Sequence, residues 1–279
     1  MLHIARLTIW EALRRRILLA TGVLTAGFLV LFWLEVQHQP RVAVTQNPLG
    51  NLSVALGSLA LGAFFCYFVI AFFSIFSVSG SISAEIESGL LAPVIPRPLY
   101  RAEIVLGKWM GFAVVQCCYV SVLFFGIVVI VHAYYARVLP PAPAIIQAWA
   151  LFTLQAWVLG AVTLLGSVRL STLANGITVA LSFTMAFLAG AVAQFPFAGT
   201  HGSMVDRLAV AMSLVLPTDN LYRRAVYELL GGRQGLLGLN SLGPFGAIKV
   251  PSMLYVLYSV IYLGMALMLS VRLFARRDA

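Results

Sequence analysis

Apolar residues occur along this chain in long runs, and polar and charged residues are concentrated in the stretches between them. A helix needs roughly 20 mostly apolar residues to cross a bilayer. Six stretches meet that length: residues 17–36, 52–78, 104–131, 145–168, 173–194 and 251–274. The pattern predicts an all-α integral membrane protein whose six spans form a single transmembrane domain over residues 1–279.

A longer segment, residues 195–250, separates the fifth and sixth spans. Its most apolar part, residues 208–216, is too short to cross, so we expect a re-entrant or interfacial piece, which is tolerated where protein or water covers the backbone. Asp219–Leu230 is predicted to form a short helix, because apolar residues recur there every four positions and Gly231 can end it. We therefore expect re-entrant or short helices before the sixth span.

The residues before the first span, 1–16, are predicted to form an interfacial helix. Ile4, Leu7, Trp10 and Leu13 make an apolar stripe on one side of it. The basic run that follows, Arg14–Arg16, would lie among lipid headgroups. The alternative is an ordinary basic flank of the first span.

Composition excludes several classes of protein. The chain is 61% hydrophobic and only 10% charged, with a mean hydropathy of +0.97, whereas an ordinary soluble domain is about 25% charged. A soluble enzyme and a nucleic-acid-binding module are both excluded. The net charge of +9 comes from basic residues beside the apolar runs, as the positive-inside rule requires. We expect both termini in the cytoplasm, a place in the plasma or inner membrane, and an extracytoplasmic 195–250 segment.

Catalytic chemistry is missing from the chain. The single Gly-Lys pair, Gly107-Lys108, has Ala102 and Trp109 where a phosphate-binding loop needs glycine and serine or threonine. Zinc-protease and serine-hydrolase motifs are absent as well. His201 and Met204 offer only a weak soft-metal pattern. We predict no catalytic, cofactor-binding or metal site in this chain.

The loop between the second and third spans, residues 81–101, stands out by its charge. Together with the start of the third span it contains these charged residues: Glu85, Glu87, Arg97, Arg101, Glu103 and Lys108. Ser81 or Ser83 can cap a short helix with both glutamates near its positive end, and Gly89 can end it. Prolines then prevent continuation. This predicts a short helix across the cytoplasmic face that can push against a soluble partner; a solvated loop is the alternative.

This loop resembles that of ABC-2-type transporter permeases, where a pattern close to E-x-x-x-G-[T/S]-L, then Pro, Arg-x-Glu and Gly-Lys-x-x-Gly links spans two and three. The matching residues here are Glu85, Gly89, Leu91, Pro98, Arg101, Glu103, Gly107, Lys108 and Gly111. The turn at Pro217 and Asp219, with Arg223 after it, also resembles a family motif. The resemblance extends over nearly the whole chain and, within the family, is to permeases of the type used in nitrous-oxide-reductase maturation.

The resemblance implies a permease without its own ATPase site. Two six-span subunits, identical copies or paralogues, would sit on two cytoplasmic nucleotide-binding ATPase subunits, which would bind ATP and Mg²⁺. Closure of those subunits would push on a coupling helix over Ser83–Leu91, with Glu85 and Glu87 touching basic groups of the ATPase. Arg101 and Lys108 would orient the loop or meet headgroups.

The same resemblance leaves the cargo open. Export is the direction usual in the family, and residues 195–250 would cap the pathway or receive an extracytoplasmic accessory protein. No residue identifies the substrate or the translocation path. Two other readings stay open: an ion-coupled secondary transporter, disfavoured by the lack of charged groups near the middle of any span, and a membrane-embedded enzyme or scaffold.

Overall fold

The computed structural model describes residues 2–14, 16–39, 48–87, 101–135, 140–194, 211–231 and 250–276. Within these ranges the chain is helical and contains no strand. In chain order the helices are α1 (Leu2–Arg14), α2 (Arg16–His38), α3 (Pro48–Val78), α4 (Ser83–Glu87), α5 (Arg101–Tyr135), α6 (Ala142–Ser167), α7 (Thr172–Gln194), α8 (Thr218–Leu229) and α9 (Met253–Ala275).

Six of these helices, α2, α3, α5, α6, α7 and α9, are long and apolar enough to cross a membrane. This confirms the predicted all-α fold with six spans. The two longest, α3 with 31 residues and α5 with 35, begin before their apolar runs do. The hydropathy pattern marks the part of a helix that suits lipid, whereas the helix itself continues until its backbone hydrogen bonding ends.

The core of the bundle lies around α3 and α6, which are buried on most sides, while α2 and α9 expose most of their surface. Aromatic rings fill the space where α3 meets α7 and α8: the centre of the Tyr67 ring lies 4.9 Å from that of Phe183 and 4.6 Å from that of Tyr222, with the rings tilted by 38° and 37°. A polar contact also ties the centre together, because Gln155 of α6 donates to the carbonyl oxygen of Tyr67 at 3.1 Å. The core therefore combines aromatic packing with a buried amide.

Residues 211–231, which precede α9 in the chain, contain a turn between two helical pieces. Residues 211–215 are helical and α8 follows after a turn at Leu216 and Pro217. Tyr262 of α9 donates to the carbonyl oxygen of Val215 at 2.7 Å, whereas Arg224 of α8 reaches the carbonyl oxygen of Pro251 at 3.3 Å. Tyr262 lies about 14 Å along α9 from its first residue. The turn is thus deep in the bundle and α8 runs outward from it.

Tyrosines of α9 also explain how this turn is tolerated. The last carbonyls of a helix lack partners within it, and they are costly to leave unpaired in lipid. Tyr258 donates to the carbonyl oxygen of Leu214 at 2.6 Å, next to the Tyr262 contact. The short helix predicted over Asp219–Leu230 is confirmed as α8, and Gly231, with φ of +62°, follows its last residues.

The N-terminal helix α1 packs along the first turns of α5. Ala5, Thr8 and Ala12 are buried there, and a Cβ placed at Gly111 would come within 2.8 Å of the Ala5 carbonyl oxygen. Small residues thus form the contact face of α1, while Leu7 on the predicted apolar stripe is 69% exposed. The interfacial position of α1 stays a prediction.

Candidate functional site

The turn that joins α3 to α4, residues Ser79–Ser83, is the centre of the first candidate site. Lys108 of α5 donates its ammonium to the carbonyl oxygen of Ser81 at 2.6 Å and pairs with Glu85 of α4 at 2.5 Å. The Lys108 side chain is only 8% exposed, while that of Glu85 is 28% exposed. A buried ammonium requires such partners because desolvation of an unpaired charge is costly. Lys108 therefore fixes α4 against α5.

The other predicted residues of this loop are placed as follows. Ser83 begins α4, and Glu103 lies in the first turn of α5. The helices also include Glu87 and Arg101, whose side chains lie outside the described residues. Gly89, Leu91 and Pro98 lie outside the described residues altogether. The structure thus brings Ser83, Glu85 and Lys108 together, and the predicted extension of α4 to Leu91 stays a prediction.

The opposite side of the same turn is held by α7. Asn175 donates through Nδ2 to the carbonyl oxygen of Ser79 at 3.1 Å and to that of Thr163 in α6 at 2.9 Å. The hydroxyls of Ser83 and Thr172 are 2.9 Å apart. Sequence reasoning missed Asn175; the one available signal was a lone amide near the start of an apolar run.

The second candidate site is an ion pair on α8. Arg223 donates through Nε to Oδ2 of Asp219 at 2.7 Å and through Nη2 to Oδ1 at 3.1 Å. The Arg223 side chain is 1% exposed and that of Asp219 is 2% exposed. Pro217 precedes the helix as its N-cap residue. Pro217, Asp219 and Arg223, whose pattern in the sequence resembles a family motif, are therefore all buried at the start of α8.

Burial dominates the electrostatics of this pair. It raises the pKa of the Asp219 carboxyl above its ordinary value, and Arg223 opposes that shift through its charge and its hydrogen bonds. Asp219 also lies in the first helical turn, where a carboxylate is stabilised by the helix dipole. On the side of α7, a Cβ placed at Gly190 would overlap the Asp219 carboxylate. Gly190 thus makes room for the ion pair.

A metal site would need several ligating side chains close together in the described part of the chain. No group of three or more histidine, cysteine, aspartate or glutamate side chains there could hold a metal ion. The weak pattern at His201 and Met204 lies outside the described residues. The first candidate site consists of an ion pair and hydrogen bonds that join helices, and the second is an ion pair within α8 that packs against α7.

Comparison with known proteins identifies the family. The family described as "ABC-2 family transporter protein" matches residues 2–279. The chain belongs to the ABC-2 transporter family. It is also 26% identical over 286 residues to a Stutzerimonas stutzeri protein named "Probable ABC transporter permease protein NosY", covering 99% of this chain and 98% of that protein. An ABC-2 protein with six spanning helices is a multi-pass membrane permease subunit of an ABC transporter, and such permeases work with an ATPase subunit.

Proposed function

We propose that this chain is the permease of an ATP-driven exporter and that a separate ATPase subunit docks on α4 at the cytoplasmic face. The partner would bind ATP and Mg²⁺, since no phosphate-binding loop is found in this sequence. Two copies of the chain, or one copy and a paralogue, would stand on two ATPase subunits. An extracytoplasmic accessory protein could meet residues 195–250.

The contact between Lys108 and Glu85 is the observation that supports this proposal. It joins a five-residue helix at one end of the bundle to the 35-residue span α5. A short helix held at its base by a nearly buried ammonium moves together with the span that supplies the ammonium. Force applied to α4 would then be delivered to α5 directly.

The distribution of charge supports an orientation in which α4 faces the cytoplasm. Basic residues outnumber acidic ones at the end of the bundle that carries α4: Arg6, Lys108, Arg169, Arg272 and Arg276 lie there. Short loops rich in lysine and arginine face the cytoplasm. The carboxylates of Glu85 and Glu87 would meet basic groups of the ATPase at this face, while Arg101 would contact lipid headgroups or the loop.

The test is isolation of the tagged chain from its native membrane in mild detergent, with identification of the proteins that accompany it. We expect a soluble protein with a phosphate-binding loop in stoichiometric amount. The double variant Glu85→Ala/Glu87→Ala should lose most of that protein, whereas Glu228→Ala, a matched loss of carboxylate on α8, should retain it.

Two results would count against the proposal. Recovery of an intact permease without any ATPase would favour an ion-coupled secondary transporter, to be tested by ion-gradient flux in vesicles that contain this chain alone. Full retention of the ATPase by the Glu85→Ala/Glu87→Ala variant would place its docking site away from α4.

A further inference from the structure

The Ser79–Ser83 turn is held from two sides by different helices. On one side Lys108 of α5 contacts Ser81 and Glu85. On the other side the carbonyl oxygen of Ser79 accepts from Asn175 of α7 at 3.1 Å and from the Ser83 hydroxyl at 3.3 Å. The base of α4 is thus clamped between α5 and α7.

Asn175 differs from most hydroxyl-bearing side chains of the spans because its amide bonds to two helices other than its own. Many hydroxyls in the spans bond to a carbonyl four residues earlier in the same helix: those of Thr25, Ser121, Thr153, Ser182, Ser259 and Ser270 do so. Asn175 is fully buried and uses its amide group to reach both the end of α3 and the carbonyl oxygen of Thr163 in α6. It therefore joins three helices at one point.

The neighbouring glycines show how closely these helices approach. A Cβ placed at Gly166 of α6 would overlap the Asn175 side chain, and one at Gly80 would come within 3.0 Å of Thr172 Cγ2. Small residues let helices approach closely enough for side-chain hydrogen bonds between them. The α3–α4 turn, the end of α6 and the start of α7 consequently pack as one unit.

We propose that Asn175 is a positioning residue that carries movement of α4 to α6 and α7, alongside the Lys108 contact that carries it to α5. This inference rests on the proposed docking of an ATPase on α4. A push on α4 displaces the Ser79–Ser83 turn, and the two N–H groups of Asn175 transfer that displacement to both neighbouring spans. The response of α7 therefore depends on Asn175, and the response of α5 depends on Lys108.

The experiment compares two reporters in the permease–ATPase complex in nanodiscs. An environment-sensitive fluorophore is attached at Leu173→Cys in the first turn of α7, or at Met110→Cys on α5, in a background without native cysteines. Both positions are exposed, at 75% and 38%. The signal is the fluorescence change on addition of a non-hydrolysable ATP analogue, relative to the same variant without nucleotide.

Each of the two variants, at Asn175 and at Lys108, should lose the fluorescence response at a different reporter. Asn175→Leu should remove most of the response at residue 173 and leave that at residue 110, while Lys108→Met should do the reverse. Ser171→Ala is the matched control, because the Ser171 hydroxyl accepts from the nearby backbone N–H of Ala174 at 3.4 Å, a contact that stays at the start of α7. It should change neither response.

Other outcomes would separate the inference from the proposed function. Equal losses at both reporters, or no loss, in Asn175→Leu would overturn the role of Asn175. Absence of any response in the parent complex, with the ATPase bound, would instead refute coupling through α4. If Asn175→Leu does not assemble, Asn175→Ser, which keeps one hydroxyl donor but cannot span both carbonyls, must show the same selective loss.

Discussion

Replacing Asp219 by asparagine would leave Arg223 charged at a position that water does not reach. Both side chains are at most 2% exposed, and two hydrogen bonds of 2.7 and 3.1 Å join them. Removing one partner of a buried ion pair costs about 3–5 kcal/mol, because the remaining charge is uncompensated. The asparagine oxygen can still accept one hydrogen bond from the guanidinium, so we expect about 3 kcal/mol for Asp219→Asn.

The same helix supplies a matched control. Arg224 and Glu228 form a second ion pair at the same four-residue spacing, but their side chains are 17% and 19% exposed. Partial access to solvent weakens such a pair, so Glu228→Gln should cost at most about 1 kcal/mol. Helix and spacing are shared, so the difference between the two variants reflects burial together with the opposite positions of the two carboxylates along the helix dipole.

Cys66 makes the unfolding measurable. It is completely buried in α3, whereas Cys118 is exposed. In a background with Cys117→Ala and Cys118→Ala, reaction of Cys66 with a thiol-specific fluorophore reports unfolding in detergent as temperature or denaturant rises. The free energy of unfolding follows from the denaturant series.

A double replacement tests whether the cost of Asp219→Asn comes from an unpaired buried charge. Asp219→Leu with Arg223→Met removes both charges and keeps apolar volume, so it should cost less than Asp219→Asn alone. Equal small losses for Asp219→Asn and Glu228→Gln would refute the reasoning, because they would mean that Asp219 and Arg223 are as well solvated as the control pair.

Three further variants test close contacts. Gly190→Ala should cost about 1–3 kcal/mol by overpacking against the buried carboxylate, while Gly264→Ala, where the added Cβ meets nothing within 4 Å, should be neutral in the same unfolding assay. Lys108→Met removes a support of α4 but keeps Glu85 and Glu87, so the tagged permease should recover as much ATPase as the parent, measured by quantitative blotting, with membrane insertion unchanged. Gly111→Val should lift α1 from α5 and speed tryptic cleavage within α1 relative to Gly22→Val, since a Cβ at Gly22 is unopposed.

Helices were predictable because each depends on its own stretch of sequence. The six spans follow from apolar runs of sufficient length, and α8 follows from its four-residue repeat and from Gly231. The sequence pattern predicted the apolar stripe of α1 but missed the face that packs against α5. That face consists of Ala5, Thr8 and Ala12, which are too small to stand out in a hydropathy pattern. The starts of α3 and α5 lie before the predicted apolar runs for a different reason. Hydropathy detects which residues suit lipid, whereas backbone hydrogen bonding decides where a helix begins.

Contacts between distant residues were not predictable. Lys108 and Ser81 are 27 positions apart, and Asn175 and Ser79 are 96 positions apart. Their pairing depends on how α5 and α7 cross α3, which no local pattern encodes. Gly190 likewise has no distinguishing sequence signal, since only the approach of Asp219 gives it a role.

The two ends of α7 are held in physically different ways, and this difference assigns them different roles. At Gly190 the helix packs against an ion pair of α8 that is almost inaccessible to water, so separation there would remove the close packing around two buried charges. At Asn175 it is tied to a turn whose other support, the Lys108–Glu85 pair, is partly solvated on its carboxylate side. Water can replace a protein partner at that carboxylate at modest cost. If an ATPase pushes on α4 as proposed, α7 should pivot about the Gly190 contact, with the displacement greatest near Asn175.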